Sequence, residues 1–149
     1  MSGIVQTIQK ELQQKGYRFS KNRDVILRVL DKADKPLTVN EIYDAAVKMV
    51  KDPVKQKLDL STAYRIIEAL CKEGFIKIIS LLEGHNRYEL ERGDHHHHLV
   101  CTECQVIQPI HLDDHLIDSE KKIEEEKGFT VMSHSLEFFG VCRGCKINP

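Results

Sequence analysis

The chain has 149 residues and a formal net charge of −1, with 41% hydrophobic and 30% charged residues, an ordinary balance for one globular domain or two small ones. No apolar run approaches the ~20 residues that span a bilayer, and no basic segment precedes a shorter apolar run. These features argue against a membrane protein, and we expect a cytoplasmic protein whose five cysteines stay thiols unless a metal holds them.

Charge and metal-ligand residues are distributed unevenly along the chain. Residues 1–85 carry 15 Lys and Arg against 11 Asp and Glu, whereas residues 86–149 carry 7 against 12. Seven of the eight histidines and four of the five cysteines also lie in residues 86–149. The basic half suits a polyanion such as nucleic acid, and the acidic half suits cations.

Helical periodicity and capping residues predict four short helices in the first half. The third has the strongest start signal, because Thr38 and Glu41 have the spacing of a capping box. The predicted helices cover residues 4–15, a segment capped by Ser20, a segment capped by Thr38 and stopped by Pro53, and a segment capped by Ser61 and ended by Gly74, with a polar connector at residues 51–59.

The pattern then changes to a strand–turn–strand signal. The segment FIKIISLL is strand-like, EGHN is a turn, and RYELE alternates apolar and polar residues. Four helices followed by a hairpin predict a winged helix-turn-helix domain over residues 1–91. In such a domain the fourth helix would enter the DNA major groove and the hairpin would be the wing.

Residues 92–149 predict a second domain, which is small and mixes strands with a helix. HHHHLVC, QVIQPI and FTVMSHSLEFFGVC are strand-like, and residues 113–127 are helical, with Leu116, Ile117 and Ile123 expected to face inward. A core this small usually needs further stabilisation, such as disulfides or a structural metal ion. The expected fold class is therefore α+β, a winged helix-turn-helix domain followed by a small α/β domain.

Two Cys-x-x-Cys pairs are candidate ligands for a metal ion that would stabilise this domain. Cys101 and Cys104 form the first pair and Cys142 and Cys145 the second, with 37 residues between the pairs. Thiolates three residues apart on a tight turn fit two corners of a tetrahedral Zn²⁺, so the two pairs predict a closed, structural four-thiolate site. A redox disulfide pair is the competing interpretation. Cys71 lies on the apolar face of the fourth helix and is expected in the core.

Four consecutive histidines, His95 to His98, precede the first cysteine pair. In a strand they alternate, so His95 and His97 face one side while His96 and His98 face the other, and the run offers ligands to two pockets. Imidazoles with a carboxylate beside them suit Zn²⁺, Fe²⁺, Mn²⁺ or Ni²⁺. A solvated polar run is the alternative interpretation.

Together these motifs resemble the ferric uptake regulator superfamily over nearly the whole chain. The matching segments are RFSKNRDVILRVL, LTVNEIYDA, LSTAYRIIEAL, RYELERGDHHHHLVCTEC, SHSLEFFGVC and CRGC. The resemblance implies a homodimeric, metal-dependent repressor that dimerises through its second domain and binds double-stranded DNA at a palindromic operator. It also implies structural zinc on the four cysteines and a regulatory divalent metal near the hinge between the domains.

The resemblance assigns further residues to these sites. For Tyr64, a buried core aromatic is the alternative to a contact with a thymine methyl group, and Arg65 would reach a base or a phosphate. The implied residues are Glu89, His96 and His98 at the hinge site, His95, His97 and His134 in a second pocket, and Arg18, Arg23, Ser61, Thr62, Tyr64 and Arg65 on DNA.

The chain departs from the family pattern at three positions. Pro36 stands near where the iron and peroxide sensors of the family usually have a histidine ligand, which disfavours a peroxide sensor and favours the zinc uptake regulator branch. Gln105 replaces a glycine after the first cysteine pair, and Ile117 replaces a carboxylate of the second pocket. The residues that could substitute as ligands are His85, His111, Asp114, His115 and Asp118.

We therefore expect a zinc-responsive repressor, with zinc favoured over iron or manganese as the regulatory metal. An iron-, manganese- or peroxide-responsive regulator of the same superfamily is the alternative. A zinc hydrolase is disfavoured because the sequence lacks an HExxH motif, a nucleophile elbow and a phosphate-binding glycine loop. A metal store without DNA binding is disfavoured because four capped helices and a wing are more scaffold than storage requires.

Overall fold

The computed structural model describes residues 3–81, 84–113 and 115–148, and these divide into two compact units, Met1–Gly93 and Asp94–Pro149. Asp114 and the side chain of His115, both considered above as substitute ligands, lie outside the described residues, as do two residues of the predicted wing. None of the helices in the described part of the chain has the length and apolar composition needed to cross a membrane. The mixture of helix and sheet confirms the α+β prediction.

The first unit begins with five helices. The cap predictions at Ser20 and Thr38 are confirmed, because Ser20 accepts a hydrogen bond from the backbone N–H of Arg23, and Thr38 and Glu41 form both bonds of a capping box. These bonds satisfy N–H groups that a helix start otherwise leaves without partners. The helices are α1 (Gly3–Gln14), α2 (Lys21–Lys32), α3 (Val39–Met49), α4 (Pro53–Gln56) and α5 (Leu60–Lys72).

Two of our predictions for this region were wrong. Residues 51–59 are not only a connector, since Asp52 caps the single-turn helix α4 and Pro53 occupies its first turn, where a missing N–H costs nothing. The N-cap of α5 is Asp59 and not Ser61. The carboxylate of Asp59 accepts a 2.7 Å hydrogen bond from the backbone N–H of Thr62, so the helix starts at Leu60 and Ser61 lies inside its first turn.

The apolar faces of four helices meet in one core. Ile26, Leu27, Ile42, Ile67 and Leu70 are almost fully buried there. They recur at the three- and four-residue spacings that put side chains on one helix face, which is why the sequence pattern predicted these helices. Cys71 packs against this core and is half-buried, in agreement with its predicted structural place.

The hairpin after α5 is the predicted wing. Strands β1 (Ile76–Ser80) and β2 (Asn86–Leu90) pair in antiparallel fashion, with Ile76 opposite Leu90. Leu37 adds an isolated bridge to β2, exchanging backbone hydrogen bonds of 2.9 and 2.7 Å with Tyr88. Its neighbour Pro36 is fully buried, so the segment before α3 is fixed by both packing and pairing.

The second unit is built on a three-stranded sheet with strand order β4-β3-β5. The central strand pairs antiparallel with β4 and parallel with β5, so the end of the chain returns beside the histidine run. The elements are β3 (His97–Cys101), β4 (Ile107–Ile110), α6 (His115–Lys127), β5 (Glu137–Gly140) and α7 (Arg143–Ile147).

Three expectations for the second unit need correction. The last strand is confined to Glu137–Gly140, because residues 129–136 make no ladder, and Met132 among them is 90% exposed. The second cysteine pair lies on a short helix, α7, that the spacing did not predict. Ile117 and Ile123 do not face inward: they are 45% and 42% exposed within this chain.

Candidate metal centres

The four cysteines of the second unit converge at one end of β3. Cys101 is the last residue of β3, Cys104 lies on the turn that follows, Cys142 precedes α7 and Cys145 lies within it. The Sγ atoms of Cys101 and Cys145 are 3.8 Å apart, and those of Cys104 and Cys142 are also 3.8 Å apart. The parallel pairing of β3 with β5 therefore brings together thiols that are distant in sequence.

These distances match a tetrahedral zinc site. With Zn–S bonds of about 2.3 Å, the sulfur atoms of a tetrahedron lie roughly 3.8 Å apart. The backbone N–H groups of Cys104 and Cys142 donate hydrogen bonds to the Cys101 sulfur and lower the pKa of its thiol to about 6. The thiolate form that zinc binds is therefore favoured at Cys101. Hydrogen bonds to the thiols of Cys142 and Cys104 raise the pKa of Cys145 to about 12, so the cluster without a cation retains protons that zinc would displace.

Gln105 occupies a backbone conformation that favours glycine. Its φ of 63° lies in the left-handed region, at the turn between β3 and β4 where the family usually has glycine. The backbone N–H of Gln105 donates to the Cys101 carbonyl, and its side-chain amide donates to the Thr102 carbonyl, both at 3.0 Å. These two bonds hold the turn in a shape that an L side chain rarely adopts.

One face of the histidine run meets a histidine from a distant segment. The rings of His95 and His97 lie 4.8 Å apart, and the ring of His134 lies 4.7 Å from that of His95. The Nε2 atoms of His95 and His134 are 3.1 Å apart, and a ligand nitrogen from each of the three rings can be chosen so that all lie within 4.8 Å. Burial, and then the neighbouring His95 and His134, lower the pKa of the buried His97, which favours the neutral ring that a metal requires.

Glu120 is a residue of this pocket that our sequence analysis missed. Its Oε1 lies 2.5 Å from the Nδ1 of His134, on the side of the ring opposite the Nε2 that faces His95. A carboxylate that accepts a hydrogen bond from Nδ1–H leaves Nε2 with its lone pair for a metal. The available signal was helical spacing, since Glu120 follows Ile117 by three residues and lies on the same face of α6.

The opposite face of the run presents His96 and His98, whose rings lie 5.0 Å apart. His98 is buried on β3, and His96 immediately precedes the strand. Glu89, the third predicted ligand of this set, is a half-buried residue of β2 in the first unit. Strand alternation explains why the neighbouring residues His97 and His98 serve different faces.

The substitute ligands proposed for the missing family positions are placed differently. His85 is an exposed residue of the wing turn, and Asp118 is exposed in the first turn of α6. Neither belongs to a cluster of metal-ligating side chains among the residues that the structure describes. His111 does belong to one, together with Asp94 and His96.

The start of α5 exposes the residues that the sequence assigned to DNA. Tyr64 is 44% exposed, so it is not the core aromatic that was the alternative, and Arg65 projects beside it with Nε 3.4 Å from the Ser61 carbonyl. Ser61 is exposed and Thr62 is half-buried. A helix that presents its N-terminal residues to solvent has the surface that a recognition helix requires.

Of the two arginines assigned to the DNA backbone, one is engaged within the first unit. Arg18 is exposed, whereas Arg23 is half-buried and donates from Nη2 to the Arg18 carbonyl at 2.6 Å and to Gln9 at 3.4 Å. Its guanidinium also lies 5.8 Å from the centre of the Tyr17 ring. Arg23 therefore holds the loop that carries Arg18.

Known proteins are similar to this chain in both sequence and fold. The model of the ferric uptake regulator family matches residues 14–139. The ferric uptake regulation protein of Bacillus subtilis (strain 168) is 31% identical over 149 residues, covering 97% of this chain and 96% of that protein. The solved structure of the Helicobacter pylori ferric uptake regulator has a TM-score of 0.75 at 23% identity, covering 97% of this chain and 92% of that one. A zinc-bound manganese uptake regulator has a TM-score of 0.66 at 28% identity, covering 91% and 98%.

Proposed function

Because this chain belongs to the ferric uptake regulator family, and is therefore a metal-responsive, DNA-binding transcription regulator and not an enzyme, we propose that it represses metal-uptake genes in response to zinc. Zinc would act as corepressor, so that the operator is occupied when the metal is plentiful. The observation that carries this proposal is the residue at position 36, where Pro36 offers no ligand atom and is fully buried.

The number of donors supports zinc over the other candidate metals. Zinc is satisfied by a tetrahedron of four ligands, whereas manganese prefers an octahedral shell. A regulatory site that lacks the imidazole usual near position 36 has one donor fewer, which penalises a six-coordinate ion more than a four-coordinate one. Iron remains the second candidate, because two imidazoles and a carboxylate are also the donor set of many Fe²⁺ sites.

We assign the regulatory ion to Glu89, His96 and His98, and a further ion to His95, His97 and His134. In each set the lone pairs of the side chains would bind one divalent cation. His96 and His98 share one face of the chain that forms β3, and His95 and His97 share the other face, where the ring of His134 meets them. Ligands drawn from both units would couple metal binding to the arrangement of the DNA-binding unit, which is how metal affinity becomes DNA affinity.

We assign a structural zinc to Cys101, Cys104, Cys142 and Cys145. Support comes from the sulfur–sulfur distances of 3.8 Å and from the closed donor set, which leaves no position for substrate. The ion would join the end of β3 to the chain after β5, and so stabilise the second unit regardless of the regulatory metal.

On the DNA side, we propose that a homodimer places two copies of α5 in successive major grooves of a palindromic operator. Exposed apolar side chains of the second unit, among them Ile117, Ile123, Phe138 and Phe139, are candidates for the dimer interface. Tyr64, Arg65, Ser61 and Thr62 would contact the operator, with Arg18 on the backbone and Arg23 positioning it. Because its partner is DNA, we infer that the protein acts in the cytoplasm.

The proposal is tested by anaerobic fluorescence anisotropy on duplex DNA from the region upstream of its gene, with free Zn²⁺, Fe²⁺ and Mn²⁺ each buffered. We expect tight binding at very low free zinc, and none at equally low free iron or manganese. The double substitution His96→Ala and His98→Ala should reduce binding to the metal-free level, while His85→Ala, which changes a histidine outside the proposed sites, should not.

The other outcomes are equally informative. Activation by iron or manganese alone would replace zinc as the regulatory metal, and an unchanged metal response of the double variant would refute the ligand assignment. The double variant should still hold at least one zinc ion per chain by mass spectrometry, because the four cysteines are intact.

A further inference from the structure

Three potential ligands meet in the second unit, and two of them belong to none of the sites assigned above. They are Asp94, His96 and His111, and one ligand atom from each can be chosen so that all lie within 4.8 Å of one another. All three belong to the unit Asp94–Pro149. We propose that they form a site for a divalent transition-metal ion that is contained entirely in the second unit.

The sheet register explains why these residues meet. His97 pairs with Ile110 at the end of the antiparallel β3–β4 ladder, and His96 and His111 are the residues that flank this last pair. Asp94 lies two residues before His96, in the chain that leads into β3, and its carboxylate approaches both rings. The end of the β3–β4 ladder therefore brings the chain segments of His96 and His111 close together.

The carboxylate lies between the two imidazoles. The Oδ2 atom of Asp94 is 3.1 Å from the Nδ1 of His96 and 3.8 Å from the Nε2 of His111. The ring centroids of the two histidines are 5.9 Å apart. Ligands about 2.1 Å from a tetrahedral ion lie roughly 3.4 Å from each other, and the two observed distances lie on either side of that value.

The donor set defines the class of ion. Two imidazoles and one carboxylate suit Zn²⁺, Fe²⁺, Co²⁺ or Ni²⁺, and they leave coordination positions for water. An ordinary surface ion pair would join Asp94 to one histidine, whereas here two rings from separate chain segments approach the same oxygen atom. A single divalent charge satisfies all three groups at once.

Exposure shows that the site is open to solvent on one side. The side chain of His96 is 13% exposed, and those of Asp94 and His111 are 47% and 70% exposed. His96 therefore forms the inner wall, while Asp94 and His111 lie at the surface, from which an ion can enter without any rearrangement of the sheet.

His96 also belongs to the ligand set that we assigned to the regulatory ion. A neutral imidazole offers one lone pair, so His96 can ligate one ion at a time. Occupancy of the site with Asp94 and His111 would then compete with the set containing Glu89. This competition rests on the proposed function, whereas the existence of the site does not.

The site is tested by Co²⁺ titration of the full-length protein with its structural zinc left in place, without DNA. Cobalt absorption bands that lack thiolate charge transfer identify ions on nitrogen and oxygen ligands. We expect His111→Ala and Asp94→Asn each to lower the affinity for one such Co²⁺ ion by about 10-fold or more. Even the loss of a residue that only supports a ligand lowers metal affinity by that much. His85→Ala, a matched change outside the cluster, should leave every equivalent unchanged.

Folding is checked by circular dichroism and by the zinc content of each variant; Asp94→Asn keeps the shape of the side chain if His111→Ala unfolds the sheet. Wild-type Co²⁺ affinity in both variants overturns the site. If Glu89→Gln changes the affinity for the same Co²⁺ ion, the competition is supported. If that affinity is unchanged, His96 ligates only the ion of the new site. Since no DNA is used, failure here leaves the proposed zinc response intact, and failure of that response leaves this result intact.

Discussion

At the scale of single residues, Glu120 lies on the Nδ1 side of the His134 ring, and the Nε2 side faces the histidine pocket. The carboxylate lies 2.5 Å from Nδ1, while Nε2 lies 3.1 Å from the Nε2 of His95. Two imidazole nitrogens at that distance need either a shared proton or a shared cation. A carboxylate behind the ring favours the cation, because it accepts a hydrogen bond from Nδ1–H and leaves the Nε2 lone pair for a metal.

Replacing Glu120 with alanine should therefore weaken metal binding in this pocket without removing a ligand. We expect the zinc affinity of the pocket to fall by about 10-fold, measured by competition with a colorimetric chelator. Glu124→Ala, one turn further along α6, is the matched control and should have no effect. If both variants bind zinc like the wild type, Glu120 has no positioning role.

At the scale of elements, the start of α5 shows how a capping residue positions a recognition surface. Asp59 takes the N-cap position, so Ser61 is displaced into the first turn and remains exposed with Tyr64 and Arg65. Had Ser61 been the cap, its hydroxyl would be occupied by a backbone N–H. The cap at Asp59 thus leaves that hydroxyl at the surface assigned to DNA.

Replacing Asp59 with alanine should lower the melting temperature of the first unit by a few degrees at pH 7, whereas Ser61→Ala should not. The hydroxyl and backbone N–H of Thr62 hydrogen-bond the Asp59 carboxylate and hold its pKa below its ordinary value. A lowered pKa stabilises the fold above the unfolded-state value of about 3.9, and this stability is lost as pH falls through the folded-state value.

Thermal melts at pH 7 and near pH 3 check both the residue and the sign. The difference between wild type and Asp59→Ala should shrink as the carboxylate is protonated. An equal loss of stability in Ser61→Ala, or a difference that grows at low pH, would contradict the assignment of the cap.

The chain of β3 is a second element whose geometry has functional consequences. Its residues alternate between two faces, so one segment of seven residues, 95–101, contributes to the two assigned histidine sites and to the cysteine cluster. The three sites therefore share one backbone, and a shift of register by one residue would exchange the faces of every histidine. The pairing of β3 with both neighbours, through Ile110 on one side and Glu137 on the other, opposes such a shift.

At the scale of the whole molecule, the two units differ in how they are stabilised. The first unit has a continuous core to which four helices and the wing contribute. Among the described residues of the second unit, the buried side chains are limited to Val100, Cys101, Ile107, His97 and His98. A unit with so little apolar burial needs another source of stability, and a four-thiolate zinc site is of the type that contributes folding free energy directly.

Removal of the cysteine-bound zinc should therefore unfold the second unit and leave the first folded. Hydrogen exchange after treatment with a strong chelator, or in Cys142→Ser, should show loss of protection in β3, β4 and β5 with α2, α3 and α5 unchanged. Thr102→Ser, which retains a hydroxyl at the same turn, serves as the control substitution. Protection that survives in β3, or that is lost equally from α2, would contradict this division.

The sequence by itself determined the features that depend on neighbours along the chain. Helical periodicity located the core helices, the Thr38–Glu41 spacing predicted a capping box, and alternation assigned His95 and His97 to one face. These features were predictable because the interactions that produce them join residues within about one helical turn or one strand. The cysteine spacing was informative for the same reason, since each pair occupies one tight turn.

Tertiary structure alone decided which distant residues meet. The approach of Glu120 to His134 depends on how α6 packs, and the approach of His111 to His96 depends on where the β3–β4 ladder ends. Asp59 and Ser61 are both residue types that cap helices well, and only the structure shows that Asp59 is the N-cap of α5. Register and packing result from many weak contacts summed over the unit, and no short segment of sequence contains that sum.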